Sequence, residues 1–219
     1  MTPEKLKSYR VVYINGLSMT RDSIRALTDW VKAGGIVVAD AGTAMYDEYN
    51  DPMEEAVTLF GARQRTEALS PGPLHPIDVP DLTPLDKLTV SATELTPAIN
   101  LPVVGLKTVL TATTGKPIGT YSNGACGAVA NQLGKGKALL FGIQLGHAYR
   151  QNAPRDTNDF PTTYTKERRE LVALPADRTV GPRRVEYTEQ LVEVTLFEHA
   201  SGLAVLVNDF SYAPNRPAT

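Results

Sequence analysis

LKSYRVVYINGLSMTRDSIRALTDWVKAGGIVVADAGTAMYD, residues 6–47 of a 219-residue chain, decides the fold. Residues 9–15 read as a buried strand, residues 20–33 as an amphipathic helix, and residues 36–40 as a second strand running into a turn rich in carboxylates. Within the helix Ile24, Leu27 and Val31 recur at i, i+3 and i+7, opposite Arg21, Arg25, Asp29 and Lys32. That spacing packs one side on a sheet. Ser18 and Thr20 are candidate N-caps, and Gly34 suits the C′ position that ends the helix. Ile36-Val-Val-Ala39 is continuously apolar, as a strand covered on both faces must be, and this predicts a central strand parallel to the first. Strand, helix and strand together predict half of an open α/β sheet, whose functional edge lies at the carboxyl ends of its strands. There the turn reads Ala39-Asp40-Ala41-Gly42, with neither Cys nor Ser.

Working outward, Asp51 as N-cap, Pro52 at N1 and Glu54 at N3 predict a second helix. Its stripe is Met53, Val57 and Phe60, and Gly61 follows its end. Pro71, Pro73, Pro76, Pro80 and Pro84 then interrupt all periodicity and predict an extended surface excursion. Short β runs over 88–93, 103–110, 118–122, 126–133 and 138–143, separated by turn sequences, predict an antiparallel meander and hence a mixed sheet. Beyond Gly146 the chain is polar, with a charged helix expected near 164–174, stopped by Pro175, and a hairpin built from 192–196 and 203–207. A boundary at about 150–163 divides an α/β domain, residues 1–150, from a linker, helix and small C-terminal β segment, residues 151–219.

Composition narrows the partners. Twenty-two Lys plus Arg against 24 Asp plus Glu give a formal net charge of −2, and no stretch is basic enough to neutralise a row of phosphates, so nucleic acid is not expected. The densest basic run, residues 166–169 with Arg183-Arg184 beyond, is interrupted by Glu167 and Glu170, as a solvated helix face is. Cys126 stands alone and forms no internal disulfide. No window approaches the roughly 18 apolar residues of a membrane span, and the first ten residues lack an apolar leader core. No membrane partner is expected, and the sequence assigns no compartment.

Three passages carry a family resemblance: Tyr9-Arg-Val-Val-Tyr-Ile-Asn15 with the helix ending Trp30-Val-Lys-Ala-Gly-Gly35, the Asp47-Glu-Tyr-Asn50 turn, and Gly134-Lys-Gly-Lys-Ala-Leu-Leu-Phe-Gly142. Over about residues 6–150 the chain resembles the class I glutamine-amidotransferase-like domain in its non-catalytic form, as in the trimerisation domain of multidomain β-galactosidases and related bacterial proteins. The resemblance implies a flavodoxin-like or amidotransferase-like open mixed sheet flanked by helices, with the small C-terminal β segment that often follows. Such domains normally open with a further β-α-β stretch and sit inside a longer polypeptide. Without that stretch the strand at Tyr9 leaves an unpaired edge, so a homo-oligomer is expected, with a neighbouring carbohydrate-active domain as a second partner.

An active amidotransferase needs a Cys on a strained strand-to-helix turn, an imidazole beside it and N–H donors for the oxyanion. The matching turn here, Asp40-Ala41-Gly42, has no thiol. Cys126 in Gly124-Ala-Cys-Gly127 imitates an elbow, yet the residues after it alternate as a strand, so it reads as structural. His147 loosely echoes the segment that delivers the catalytic His, and its plain alternative is a loop histidine bonded to backbone. His75 lies among prolines and His199 in a hairpin turn. Neither suggests a ligand, and no metal site or cofactor is expected. Asp40, Asp47, Glu48 and Asp51 surround the carboxyl end of the second strand. The leading reading is a non-catalytic module for subunit assembly or support of carbohydrate-active domains. Its alternatives are a hydrolase, glycosides being one substrate class open to it, using Asp40, Asp47 or Glu48 with His147, and a sugar-binding pocket walled by Tyr46, Tyr49 and the same carboxylates.

Overall fold

The computed structural model describes residues 2–71, 78–152, 165–180, 185 and 192–209. One helical turn, α1 (Pro3–Leu6), precedes β1 (Val11–Ile14), which runs parallel to β2 (Ile36–Ala39) with Val11 opposite Ile36. The connection is α2 (Arg21–Lys32), and Thr20 is its N-cap, the side-chain oxygen accepting from Ser23 N–H. Ile24, Leu27 and Val31 are fully buried. At roughly 1.5–3 kcal/mol for each large apolar side chain taken out of water, these three hold α2 to the sheet. Gly35 lies under the Trp30 indole, where a Cβ would approach ring carbons to 2.4 Å, so no larger residue fits between helix and strand.

After β2 come α3 (Glu54–Phe60), β3 (Ala62–Leu69), a 3-10 turn (Val79–Asp81), β4 (Asp86–Val90), β5 (Ile99–Val103) and β6 (Leu106–Ala112). The antiparallel run β7 (Lys116–Tyr121), β8 (Cys126–Leu133) and β9 (Gly136–Phe141) leads to α4 (Leu145–Arg150), α5 (Lys166–Val180) and the hairpin β10 (Val192–His199) with β11 (Gly202–Asp209). The main sheet has seven strands in the order β1-β2-β9-β8-β7-β4-β5, parallel across β1, β2 and β9 and antiparallel beyond. This is the expected mixed α/β sheet. Alternate residues of β2 and β9 serve opposite layers: Val37, Ala39, Ala138 and Leu140 join the cluster with α2 and α3, whereas Ile36, Val38, Leu139 and Phe141 join Leu88, Val90 and Leu171.

Several expected elements are corrected. Asp51 does not cap α3. Its N–H donates to Asp47 Oδ1 and its carbonyl accepts from Asp47 N–H, so residues 45–53 fold back as a short antiparallel return and the helix starts only at Glu54, with Met53 as N-cap. Gly61 does end it, in the left-handed region at φ 66°. The single run expected over 103–110 is two strands. Val103 closes β5 in the main sheet, Gly105 turns the chain at φ 80°, and β6 leaves to pair with β3 as a separate ribbon. The meander is therefore broken, with β4 paired to β7 across the gap. Pro175 does not stop α5, which continues to Val180. Pro175 is itself buried, and that packing offsets the lost backbone hydrogen bond. Of the proline-rich excursion, residues 72–77 lie outside the described residues, and Val79 and Pro80 are buried rather than on the surface.

The β3–β6 ribbon is clipped to the main sheet by a buried charge that the sequence did not flag. Lys107 Nζ lies 2.8 Å from Asp86, 3.5 Å from Glu67 and 4.4 Å above the Tyr121 ring. Tyr121 in turn donates its hydroxyl proton to the carbonyls of Thr108 and Gly142. No helix among the described residues is long and apolar enough to cross a membrane.

Candidate functional site

A cleft of about 600 Å³ opens at the carboxyl ends of β1 and β2 and is closed on its far side by α5. Its polar lining is Tyr13, Asn15, Asp40, Tyr149 and Arg169, set among apolar residues such as Leu171. Asp40 stands where β2 ends, with one carboxyl oxygen accepting from Thr43 Oγ1 at 3.2 Å. Burial pushes its pKa up to about 6, and the Thr43 hydroxyl and its own backbone N–H only partly oppose that. The turn that follows is pinned from β3: Gly42 N–H donates to Gln64 Oε1 at 3.0 Å, and Gln64 Nε2 donates to the Thr43 carbonyl at 2.8 Å.

That turn is not a nucleophile elbow. The chain makes successive turns from residue 41 to 44, and the next helix, α3, begins only at Glu54. No helix follows Asp40 directly, as the helix of an elbow would; the helix start that borders the cleft is that of α4, through Leu145 and Gly146.

The other carboxylates have structural partners. Asp47 is buried and paired with Arg21 through Nε at 2.7 Å and through the terminal nitrogen at 2.6 Å. Its second oxygen accepts from Tyr49 N–H and Asp51 N–H, both at 2.8 Å. Burial alone would raise its pKa, but the hydrogen bonds from Asp51 N–H, Arg21 and Tyr49 N–H outweigh it and hold the carboxyl below the ordinary value. Glu48 is exposed and accepts from Arg21 N–H at 2.9 Å, in the first turn of α2, where a negative charge complements the helix dipole. Together these two carboxylates lock the 45–53 return to the start of α2. Because the folded pKa of Asp47 is depressed, its contribution is present above the ordinary carboxylate pKa and is lost as pH falls through the folded value. Asp47→Asn is therefore expected to lower the melting temperature at neutral pH while the gap from the parent narrows toward about pH 3. Circular-dichroism melts at the two pH values check this, and a gap independent of pH contradicts it.

The expected groups do not gather in one place. Tyr46 lines a separate hollow of about 230 Å³ against α3, and Tyr49 is 78% exposed. His147, expected at a strand end or in a loop, lies within α4, and it is not among the residues lining the Asp40 cleft. Its Nδ1 is buried without a hydrogen-bond partner among the described residues, and burial, then Arg150, lower its pKa. Cys126 begins strand β8, half-buried, its thiol directed at the Ala128 carbonyl at 3.5 Å and its pKa raised by burial. His199 ends β10 and contacts Ser201 Oγ at 2.7 Å, while His75 lies outside the described residues. Among the described residues no group of three or more His, Cys, Asp or Glu could hold a metal. Tyr13, Tyr149 and Arg169 were missed as site residues. Tyr13 sat inside a strand pattern, and Arg169 belonged to a run read as a solvated face.

The model of one family, described as the β-galactosidase trimerisation domain, matches residues 2–155. Among solved structures, a β-galactosidase from Rahnella sp. R3 is 13% identical at a TM-score of 0.67, the match covering 92% of this chain and 27% of that one. A GH42 β-galactosidase from G. stearothermophilus is 17% identical at 0.64, covering 93% and 26%. A β-galactosidase from the haloarchaeon Halorubrum lacusprofundi is 17% identical at 0.59, covering 94% and 26%. The chain thus spans about a quarter of the length of these three structures, and at such identities the likeness shows the fold alone. No curated protein matches the chain.

Proposed function

Because the chain belongs to the β-galactosidase trimerisation domain family, we propose that it is a non-catalytic module that assembles copies of the polypeptide carrying it and supports a neighbouring carbohydrate-active domain. The observation that carries this reading is the extent of the match, residues 2–155, which takes in every strand of the seven-stranded sheet together with α2 and α3. The geometry at Asp40 agrees with it, since a turn with neither a thiol nor a directly following helix lacks the parts of an acyl-transfer elbow. An amidotransferase-like, flavodoxin-like ancestry belongs to the same proposal and draws support from the parallel β1-β2-β9 core.

β1 supplies a surface suited to assembly. Among the described residues it is an edge strand, and Arg10 carbonyl accepts from Ile36 N–H. The alternation of a parallel ladder therefore turns the N–H and C=O groups of Val11 and Tyr13 outward. Tyr9 and Leu17, at either end of that edge, are 59% and 53% exposed. Three-fold closure uses two different surfaces on each copy, so this edge meets something other than itself. Sedimentation velocity of the 219-residue chain at about 10 μM is expected to give a species of three times the monomer mass. A monomer throughout that concentration range contradicts the proposal.

A further inference from the structure

We infer that the Asp40 cleft binds a sugar acid, with Arg169 receiving the carboxylate, Asp40 accepting hydrogen bonds from ring hydroxyls, and Tyr13, Tyr149 and Leu171 facing the pyranose. The inference is independent of the assembly reading.

Three observations carry it. The cleft lies outside the carboxyl ends of parallel strands, where open α/β sheets hold small molecules, and its volume of about 600 Å³ is within the range that encloses them. Asp40 and Arg169 line this cleft with opposite charge yet form no ion pair with each other, and among the described residues Arg169 meets a carboxylate only through space, at Glu167. A molecule spanning the two therefore presents an anionic end and a hydrogen-bond-donating end. A carboxylate matches the planar guanidinium through two parallel bonds, which a neutral hydroxyl cannot do. The remaining wall is apolar and aromatic, and the Tyr13 ring is held in place because its hydroxyl donates to the Val172 carbonyl on α5. A pyranose has apolar C–H faces for such walls and equatorial hydroxyls for a carboxylate such as Asp40, one oxygen of which accepts from Thr43 Oγ1.

The full chain is titrated with D-galacturonate and D-galactose at neutral pH, and binding is read from amide NMR shifts. The expected result is a Kd of about 1 mM for D-galacturonate, with D-galactose roughly tenfold weaker or worse. Arg169→Gln and Asp40→Ala are each expected to weaken D-galacturonate about tenfold while the shifts induced by saturating sugar still map to the cleft. Arg169 sits on a helix surface, so its variant stays folded and keeps the test valid if Asp40→Ala melts. Equal binding of the two sugars, affinity unchanged by Arg169→Gln, or no shifts up to about 30 mM D-galacturonate overturns the inference. Sedimentation of the same samples reports assembly separately.

Discussion

Replacing Lys107 by methionine is expected to lower the unfolding free energy by about 3 kcal/mol, because it strands a carboxylate in a site built around an ammonium. For a chain of this length that corresponds to a melting temperature lower by roughly 6–12 °C. The side chains of Lys107 and Asp86 are only 7% and 11% exposed. Without the lysine, Asp86 keeps bonds from Lys87 N–H at 2.7 Å and Ser122 N–H at 3.4 Å, but its charge has no counter-ion at contact distance. Burial alone would raise the Asp86 pKa. Lys107, Lys87 N–H and Ser122 reverse that and bring it down to about 2. A depressed folded value means stability that is present above the ordinary carboxylate pKa and lost as pH falls toward 2, so the parent should lose this contribution between about pH 4 and pH 2. Lys107→Met should already lack most of it. The double variant Lys107→Met with Asp86→Leu should recover most of the loss, since the unpaired charge is then gone as well. Equal melting of the parent and the single variant at neutral pH would show that the clip contributes nothing.

This clip marks where the sequence stops being readable. α2 and β2 were legible because Ile24, Leu27 and Val31 repeat with helical period and Ile36–Ala39 has no polar break. β8 was legible to its ends, residues 126–133, because alternation and flanking turns agree. β3 was not, since Ala62–Leu69 is largely exposed and polar and gains strand form only from β6, across a bulge between Thr66 and Ala68. β5 contains Pro102, which argues against a central strand and is tolerated because β5 lies at the sheet edge. Asp51 shows competition between two local devices: it could cap a helix or close a return with Asp47, and contacts distant in sequence chose the second. In the site, Asp40 was placed correctly at the end of β2. The residues that face it were not, because α5 reaches the cleft from far along the chain and no periodicity encodes that approach.

Asp40→Asn is expected to make the protein more stable at about pH 8, by about 1–2 kcal/mol. The folded pKa of about 6 lies above the ordinary 3.8. Between these values the native state holds its proton more tightly than the unfolded chain, so stability falls as pH rises through this window and stays reduced above it. The full shift would correspond to roughly 3 kcal/mol, which contact with water at the cleft mouth reduces. Asparagine keeps an oxygen for the Thr43 hydroxyl and removes the ionisable group. The gain should therefore vanish below about pH 4, where Asp40 is neutral in both states. Urea unfolding at the two pH values reads it directly. A fold that keeps a carboxylate at a cost to its own stability holds it for something other than the fold, as sites under functional demand do. If Asp40→Asn is stabilised and also loses affinity for D-galacturonate, the carboxylate belongs to the cleft's chemistry. If it is stabilised and binds the sugar acid as tightly as the parent, the ionised group has no part in recognition.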